Sequence, residues 1–155
     1  MPKARRTPAG RIRGRFAIVA AQFNAKIVDR LLAGALKAFR EHGIPPNRVH
    51  LVRVPGSLEL PLAAQRLGQS GRFAGLVCLG AVIRGETDHY DSVCSGTVQG
   101  LVQAGLKTGV PTIFGVLTCR RMKHARARAG GNEGNKGYDA ALAAIEMAEV
   151  MRAMP

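Results

Sequence analysis

Apolar residues along this chain alternate between short uninterrupted runs and longer stretches with helical spacing. The short runs predict four strands, because they are brief, rich in β-branched residues and bounded by turn signals. They cover residues 16–21, 49–54, 75–82 and 111–117. The helically spaced stretches predict helices, which begin near residues 27, 55, 88, 119 and 137 and end near residues 39, 71, 107, 129 and 152. Gly130 to Gly137 form a glycine-rich link between the last two helices.

Repeated strand-helix pairs predict an α/β fold with a parallel sheet. We expect a flavodoxin-like three-layer sandwich with a central four-stranded parallel sheet and helices on both faces. Pro111 opens the fourth strand and favours an edge position for it, because proline cannot donate to the ladder. We expect residues 1–14 to form a basic, flexible N-terminal arm. We expect residues 15–155 to form one domain, since no linker or repeat divides them.

Length and composition narrow the class of protein. A chain of 155 residues with 46% apolar content can build one core of ordinary size. No apolar stretch approaches the roughly 18 residues of a membrane span, and no signal-peptide pattern is present, so we expect a cytoplasmic protein without membrane contact. Cys78, Cys94 and Cys119 lack the spacing of a metal site or a disulfide framework, so we expect reduced thiols and no metal.

The net charge of +13 raises the question of a nucleic-acid partner. The basic residues gather in the N-terminal arm and in residues 120–136, and neither segment interleaves aromatic residues. Without stacking side chains a solvated basic surface is the favoured interpretation, and non-specific attraction to polyanions is the partner that the charge predicts.

The end of the third strand carries the densest chemistry. The run Leu76–Ile83 ends in Arg84, and Gly85, Glu86 and Thr87 then form a turn before a helix that we expect Asp88 to cap. Backbone N–H groups at such a turn favour an anion, and His89 in the first helical turn offers a proton carrier. Ligands of parallel sheets bind outside the carboxyl ends of the strands, so Phe23 and Asn24, Pro55 to Glu59, and Thr118 should meet this turn at one edge.

Each candidate also has a plain structural alternative. Phe23 fits an ordinary core aromatic, and Glu59 fits a first-turn carboxylate that complements a helix dipole. Arg128 fits one more cation on a basic helix, and His89 fits a surface histidine.

Spaced motifs over residues 14–152 resemble the lumazine synthase family. They are FN at Phe23, VPGSLELP from Val54, GAVIRGETDHYD from Gly80, GVPTIFGVLT from Gly109, RAG from Arg128 and GNKG from Gly134. The resemblance implies a flavodoxin-like transferase of riboflavin biosynthesis. Such an enzyme condenses 5-amino-6-ribitylamino-uracil with 3,4-dihydroxy-2-butanone 4-phosphate to 6,7-dimethyl-8-ribityllumazine, releasing phosphate and water, without metal or organic cofactor.

The resemblance also implies roles for individual residues. His89 would be the general acid/base. The substrate-binding residues would be Phe23, Asn24, Ser57, Leu58, Glu59, Ala81, Val82, Ile83, Glu86, Thr87, Phe114, Arg128 and Lys136. In this assignment Phe23 stacks on the pyrimidine, residues 81–83 meet it through their backbone, and Gly85, Glu86, Thr87 and Arg128 hold the phosphate. Asp139 would help to orient groups.

Phe114 resembles an aromatic that the family contributes from an adjacent subunit. The resemblance therefore implies a homo-oligomer with shared sites, built of pentamers and in many members assembled into an icosahedral capsid of sixty subunits. Shell-forming members tend to have a short Gly-rich link between the last two helices, and the link between Arg128 and Lys136 carries no insertion, so the resemblance favours the capsid. Riboflavin synthase is a partner that the family implies.

Two departures keep a second function open. Arg53 stands where many members carry a bulkier apolar residue, and residues 119–128 are more basic than usual. A basic shell-forming or flavin- or lumazine-binding paralogue with little turnover is therefore the alternative. A flavodoxin-type electron carrier fits the fold but has no further support, because residues 22–25 lack the Ser/Thr-rich phosphate loop that binds FMN.

Overall fold

Strands and helices alternate along residues 13–155, the part of the chain that the computed structural model describes. The strands are β1 (Phe16–Ala21), β2 (Val49–Val54), β3 (Gly75–Ile83), β4 (Thr112–Cys119), β5 (Ala129–Gly131) and β6 (Gly134–Asn135). The helices are α1 (Ala25–Glu41), α2 (Leu60–Gln69), α3 (His89–Thr108), α4 (Met122–Arg128) and α5 (Lys136–Ala153). The N-terminal arm predicted over residues 1–14 lies outside the described residues except for Arg13 and Gly14.

The main sheet has four parallel strands, as the alternating pattern predicts, and the structure places them in the order β2-β1-β3-β4. All six residues of β1 are buried, which explains the uninterrupted apolar run in a strand that has neighbours on both sides. β4 occupies one edge, in agreement with the proline that precedes it, and β2 occupies the other.

Helices cover both faces of this sheet, so the three-layer prediction is confirmed. One core cluster joins β1 and β3 side chains such as Phe16 and Leu79 to α1, α4 and α5. The other joins alternate β1 positions such as Val19 to α2 and α3. α1 and α5 approach so closely that a Cβ atom on Gly137 would lie 1.9 Å from the Leu31 carbonyl oxygen. Only glycine fits this helix crossing.

Three local predictions need correction. The helix expected from Pro55 opens as a 3-10 turn over Ser57–Glu59, and α2 proper begins at Leu60. The helix expected from residue 119 begins at Met122, because β4 continues through Cys119 in register with Ile83. The glycine-rich link forms the antiparallel pair β5 and β6, in which Gly130 and Gly134 adopt positive φ.

The helix starts use different caps from those predicted. Asp88 occupies the N-cap position of α3, but its side chain accepts no capping hydrogen bond. The Thr87 hydroxyl instead accepts from the His89 N–H at 3.4 Å. Asn135 caps α5, since its side-chain oxygen accepts from the Gly137 and Tyr138 N–H groups at 2.8 and 3.1 Å.

Residues 13–155 carry free thiols at Cys78, Cys94 and Cys119. This part of the chain holds no group of three or more metal-ligating side chains. None of its helices is long and apolar enough to cross a bilayer.

Candidate active site

The loops after β1 and β2 are joined at the carboxyl edge of the sheet. The Gln22 N–H donates to the Val54 carbonyl at 2.8 Å, and the Phe23 N–H donates to the Pro55 carbonyl at 3.0 Å. These bonds fix the backbone of Phe23, whose ring is 72% exposed. Phe23 is therefore a surface ring at the strand ends and not a core aromatic.

Asn24 connects this loop to β3. It has φ 58°, the left-handed region that asparagine tolerates better than most residues. Its side-chain amide donates to the Ala81 carbonyl at 2.7 Å. Because the β1–β3 register ends at Ala20 and Leu79, Asn24 continues the connection beyond the last strand pair. Sequence reasoning assigned Asn24 to substrate contact, whereas here its amide donor is engaged within the chain.

The segment Ser57–Glu59 lies beside the β3 end. Ser57 is 7% exposed, and a Cβ atom on Gly80 would lie 2.5 Å from its hydroxyl oxygen. Gly80 thus lets the turn approach the strand closely. Leu58 and Glu59 remain exposed at this edge. A ligand at the edge could reach both side chains.

The last residues of β3 become progressively accessible. Ala81 is buried, while Val82 and Ile83 are half-buried and pair with Thr118 and Cys119 of β4. β1 does not extend this far, so the side of β3 that faces β1 lacks a strand partner at residues 81–83. The Ala81 carbonyl on that side accepts from the Asn24 amide, and the backbone of Val82 and Ile83 has no strand partner there.

The turn after β3 is held at both ends. The Arg84 N–H donates to the Cys119 carbonyl at 2.9 Å, and the Arg84 guanidinium lies over the Tyr90 ring, 5.7 Å from its centroid. The hydrogen bond and the ring contact of Arg84 hold the two ends of the turn formed by residues 85–89, all of which are exposed. His89 is the first residue of α3 and presents its imidazole at the same edge. The contact between Arg84 and Tyr90 was not predicted from the sequence, because no motif indicates a contact between the residues that flank the turn.

Tyr90 anchors the start of α3 to its surroundings. Burial is the main cause that raises the pKa of its hydroxyl, with a further contribution from the nearby Cys94 thiol. The side chains of Cys94 and Thr118 lie near the hydroxyl and also influence its pKa, Thr118 by lowering it. The first turn of α3 is thereby tied to the end of β4.

The charge of the turn is unfavourable for an anion by itself. Glu86, Asp88 and Asp91 lie within or just after it, and both Glu86 and Asp88 are exposed. Backbone N–H groups attract a phosphate, but these carboxylates oppose it. The Arg84 guanidinium beside the turn supplies one positive charge against these three carboxylates, so a further cation would strengthen phosphate binding here.

A second feature is a cleft of about 1290 Å³ along β4, α4 and α5. Phe114, 42% exposed, lines it together with Arg128 and Lys136. The Arg128 guanidinium donates to the His124 carbonyl at 3.1 Å, and the Lys136 ammonium lies 3.8 Å from the Asp139 carboxylate. Burial raises the pKa of the neighbouring Cys119 thiol, and the Arg128 charge partly offsets that rise.

The predicted site residues thus fall into two groups within one chain. Phe23, Asn24, residues 57–59, residues 81–87 and His89 gather at the strand ends. Phe114, Arg128 and Lys136 share the cleft along the edge strand, and none of the first group lines that cleft. The separation follows from topology, because α4 and α5 come after β4 at the border of the sheet.

A parallel sheet covered on both faces, with polar side chains, an exposed turn and an exposed aromatic at its carboxyl edge, defines a flavodoxin-like α/β protein with a candidate ligand site at the strand ends. A family model described as 6,7-dimethyl-8-ribityllumazine synthase matches residues 13–152. The chain belongs to this family.

Relatives of the same name cover most of the chain. A 6,7-dimethyl-8-ribityllumazine synthase of Halorhodospira halophila (strain DSM 244 / SL1) is 51% identical over 138 residues, which is 89% of this chain and 88% of the relative. That of Xanthomonas euvesicatoria pv. vesicatoria (strain 85-10) is 46% identical over 141 residues, covering 91% and 92%. The chloroplastic protein of Spinacia oleracea is 50% identical over 136 residues, covering 88% of this chain but 61% of that relative.

Proposed function

We propose that the protein condenses 5-amino-6-ribitylamino-uracil with 3,4-dihydroxy-2-butanone 4-phosphate to 6,7-dimethyl-8-ribityllumazine, as a transferase of riboflavin biosynthesis. Family membership supports the reaction. The observation that carries the proposal is the exposed Phe23 ring at the same strand edge as the turn before His89. A planar pyrimidine gains about 1 kcal/mol by stacking on such a ring.

The remaining residues of the strand edge have matching tasks. Glu59 accepts hydrogen bonds from ribityl hydroxyls, beside Ser57 and Leu58. Backbone groups of residues 81–83 read the pyrimidine edge, and Asn24 holds that backbone through its bond to Ala81. Glu86 and Thr87 contribute to the phosphate turn through their N–H groups.

His89 moves protons in this reaction. The amine of the pyrimidine attacks the butanone carbonyl, and loss of water gives an imine. Elimination then breaks the C–O bond to phosphate, and closure of the second ring releases another water. Each step adds or removes a proton, and the exposed imidazole of His89 is a group that can accept and donate one.

The cations that the phosphate turn needs besides Arg84 come from a neighbouring subunit. In this proposal Phe114, Arg128 and Lys136 of one protomer complete the strand-edge site of the next. The cleft that holds them follows an edge strand, and exposed strand edges of this kind are commonly covered. Arg128 then offers a planar set of donors to the leaving phosphate.

Such a shared site requires an oligomer. We propose pentamers, and assembly of pentamers into an icosahedral capsid. The support is the resemblance to shell-forming members of the family, which tend to have a short connection between the last two helices, as the β5–β6 connection is here. Sedimentation velocity separates these states readily. Sedimentation as a monomer would contradict the shared site.

Two further parts of the proposal concern a partner protein and the location of the protein in the cell. The reaction product is a substrate for riboflavin synthase, which supports that enzyme as a partner, and co-sedimentation of the two purified proteins tests it. The predicted cytoplasmic location is tested by cell fractionation.

Product formation tests the activity directly. The purified protein is mixed with both substrates, and the lumazine product is followed by absorbance together with released phosphate. Absence of product from a folded, assembled sample would refute the enzyme and leave the alternative of a lumazine- or flavin-binding paralogue with a basic shell.

A mixing experiment tests the shared site. Phe23→Ala and Arg128→Ala should each abolish most of the activity in homo-oligomers. When the two variants are refolded together in equal amounts, about a quarter of the interfaces receive both native residues, so about a quarter of the activity should return. No recovery in mixed oligomers would contradict the contribution of Arg128 by a neighbour.

A further inference from the structure

A second cavity lies at the amino edge of the sheet, away from the strand ends that carry the candidate active site. It has a volume of about 980 Å³ and is formed by β2, α2 and the residues just before β1 and β3. Arg15, Arg66 and Arg72 line it together with His50 and Phe73. We call this cavity the amino-edge groove.

The amino-edge groove carries positive charges that no carboxylate in its lining neutralises. Arg15, Arg66 and Arg72 are exposed, and no carboxylate is among the residues that line the groove. None of the three guanidiniums forms an ion pair within residues 13–155, which include all ten Asp and Glu residues of the chain. Arg15 only donates to the Asn47 carbonyl at 3.3 Å, so it can still receive an anion.

An aromatic pair lies in the same wall. The His50 and Phe73 rings have centroids 5.8 Å apart and an interplanar angle of 31°. Phe73 is half-buried, while His50 on the edge strand is exposed. The pair therefore offers an accessible ring, supported from behind, to a flat ligand. Along the sequence these aromatics are remote from the two basic segments, and although Phe73 directly follows Arg72, only the fold brings the pair beside Arg15 and Arg66.

We propose that the amino-edge groove binds single-stranded nucleic acid. Phosphates contact Arg15, Arg66 and Arg72, and a base stacks on the His50–Phe73 pair, which is the combination that single-strand binders use. Concave shape and the aromatic pair favour this ligand over a flat anionic membrane. Four further cations precede Arg13 in the sequence and are continuous with Arg15, so a strand longer than the groove gains further attraction.

Fluorescence anisotropy with a labelled twelve-nucleotide oligouridine RNA tests the proposal on the full-length protein. Arg66→Gln with Arg72→Gln removes two charges from the groove and should weaken binding about ten-fold near 0.1 M salt. The slope of log affinity against log salt should fall by about 1.4, corresponding to two lost phosphate contacts. His50→Ala should weaken binding several-fold, and His50→Phe should preserve it, because the phenyl ring still stacks.

The matched control is Arg30→Gln with Arg40→Gln, which removes two exposed charges from α1 on the opposite face of the sheet. This variant should bind RNA within two-fold of the wild type. Equal losses in both double variants would overturn the proposal in favour of general charge attraction. Competition by uridine monophosphate or pyrophosphate as effective as that by the oligomer would overturn it in favour of a small phosphate site, and no binding would overturn it outright. None of these variants touches the proposed condensing site, so lumazine synthesis is a separate readout.

Discussion

Replacement of Asn24 should separate two contributions that one residue makes to the strand-edge site. The first is the 2.7 Å hydrogen bond from its amide to the Ala81 carbonyl, which lies in a buried residue. The second is its tolerance of φ 58°. Asn24→Gly removes the bond but accepts the left-handed conformation, whereas Asn24→Ala removes the bond and adds strain.

The magnitudes follow from these two terms. An unsatisfied buried carbonyl costs about 1–2 kcal/mol, so Asn24→Gly should lower the free energy of unfolding by that amount. The left-handed conformation costs a further ~1 kcal/mol for alanine, so Asn24→Ala should lower it by about 2–3 kcal/mol. Asn47→Ala is the control, because Asn47 is exposed and only its backbone carbonyl accepts a hydrogen bond in the described residues, and its effect should stay within about 0.5 kcal/mol.

Urea unfolding at one fixed protein concentration measures all three variants, since association of protomers contributes to stability. Because Asn24 adjoins Phe23 and holds the β3 backbone, both Asn24 variants should also raise the KM for the ribityl-pyrimidine. Equal stability of the glycine and alanine variants would refute the strain argument. Stability like that of the Asn47 control would refute the structural importance of the hydrogen bond.

Three further changes probe the fold and the turn. Gly137→Ala should destabilise the protein by about 3 kcal/mol or prevent folding, because its Cβ would meet the Leu31 carbonyl at 1.9 Å; normal urea unfolding would contradict this. Tyr90→Leu should raise the KM for the butanone phosphate a few-fold, because the Arg84 guanidinium loses the ring that it lies over. Tyr90→Phe keeps the ring and should leave the KM unchanged. Equal effects of the two variants would show that the ring contact does not hold the turn. Burial raises the pKa of the Cys78 thiol from 9.0 to about 12. The thiol therefore ionises first in the unfolded chain, and the free energy of unfolding falls as the pH rises above 9. Cys78→Ala should lessen this fall in urea unfolding, and an identical pH profile would refute the argument.

Periodicity was sufficient to predict the main sheet and its helices. β1 and the start of β3 are buried on both faces, and their apolar runs have no alternation for that reason. Boundaries were less predictable where pairing decides them. Cys119 looked like the first residue of a basic helix, yet it pairs with Ile83 and extends β4.

Glycine-rich segments were the weakest part of the sequence-based prediction. Residues 130–137 contain no apolar periodicity, so they read as a loop, although they form a hairpin whose turn geometry depends on Gly130 and Gly134. Asn135 then donates its side-chain amide to the Arg30 carbonyl, 105 positions away, while it caps α5. A contact over that distance leaves no local pattern in the sequence.

Sequence motifs supply a list of candidate site residues, which stays a prediction, but they do not supply the geometry of the site. Motifs named Phe23, His89 and Arg128 without indicating that Arg128 lines a different surface of the same chain. The same limit applies to the amino-edge groove, since His50 and Phe73 come from different segments than Arg15 and Arg66. Charge runs and aromatic residues that are separate along the chain become neighbours only in the folded sheet.

The distribution of charge gives the proposed assembly a direct role in catalysis. The protein is strongly basic, yet Glu59, Glu86, Asp88 and Asp91 are among its ten carboxylates and lie at or just after the strand ends that carry the proposed phosphate turn. In an isolated protomer these carboxylates outnumber Arg84 at the turn, which weakens binding of the butanone phosphate. Under the proposed assembly, Arg128 and Lys136 from a neighbour offset part of that negative charge. Substrate binding and subunit association are then linked: whatever dissociates the oligomer weakens phosphate binding, and bound phosphate stabilises the oligomer by the same free energy.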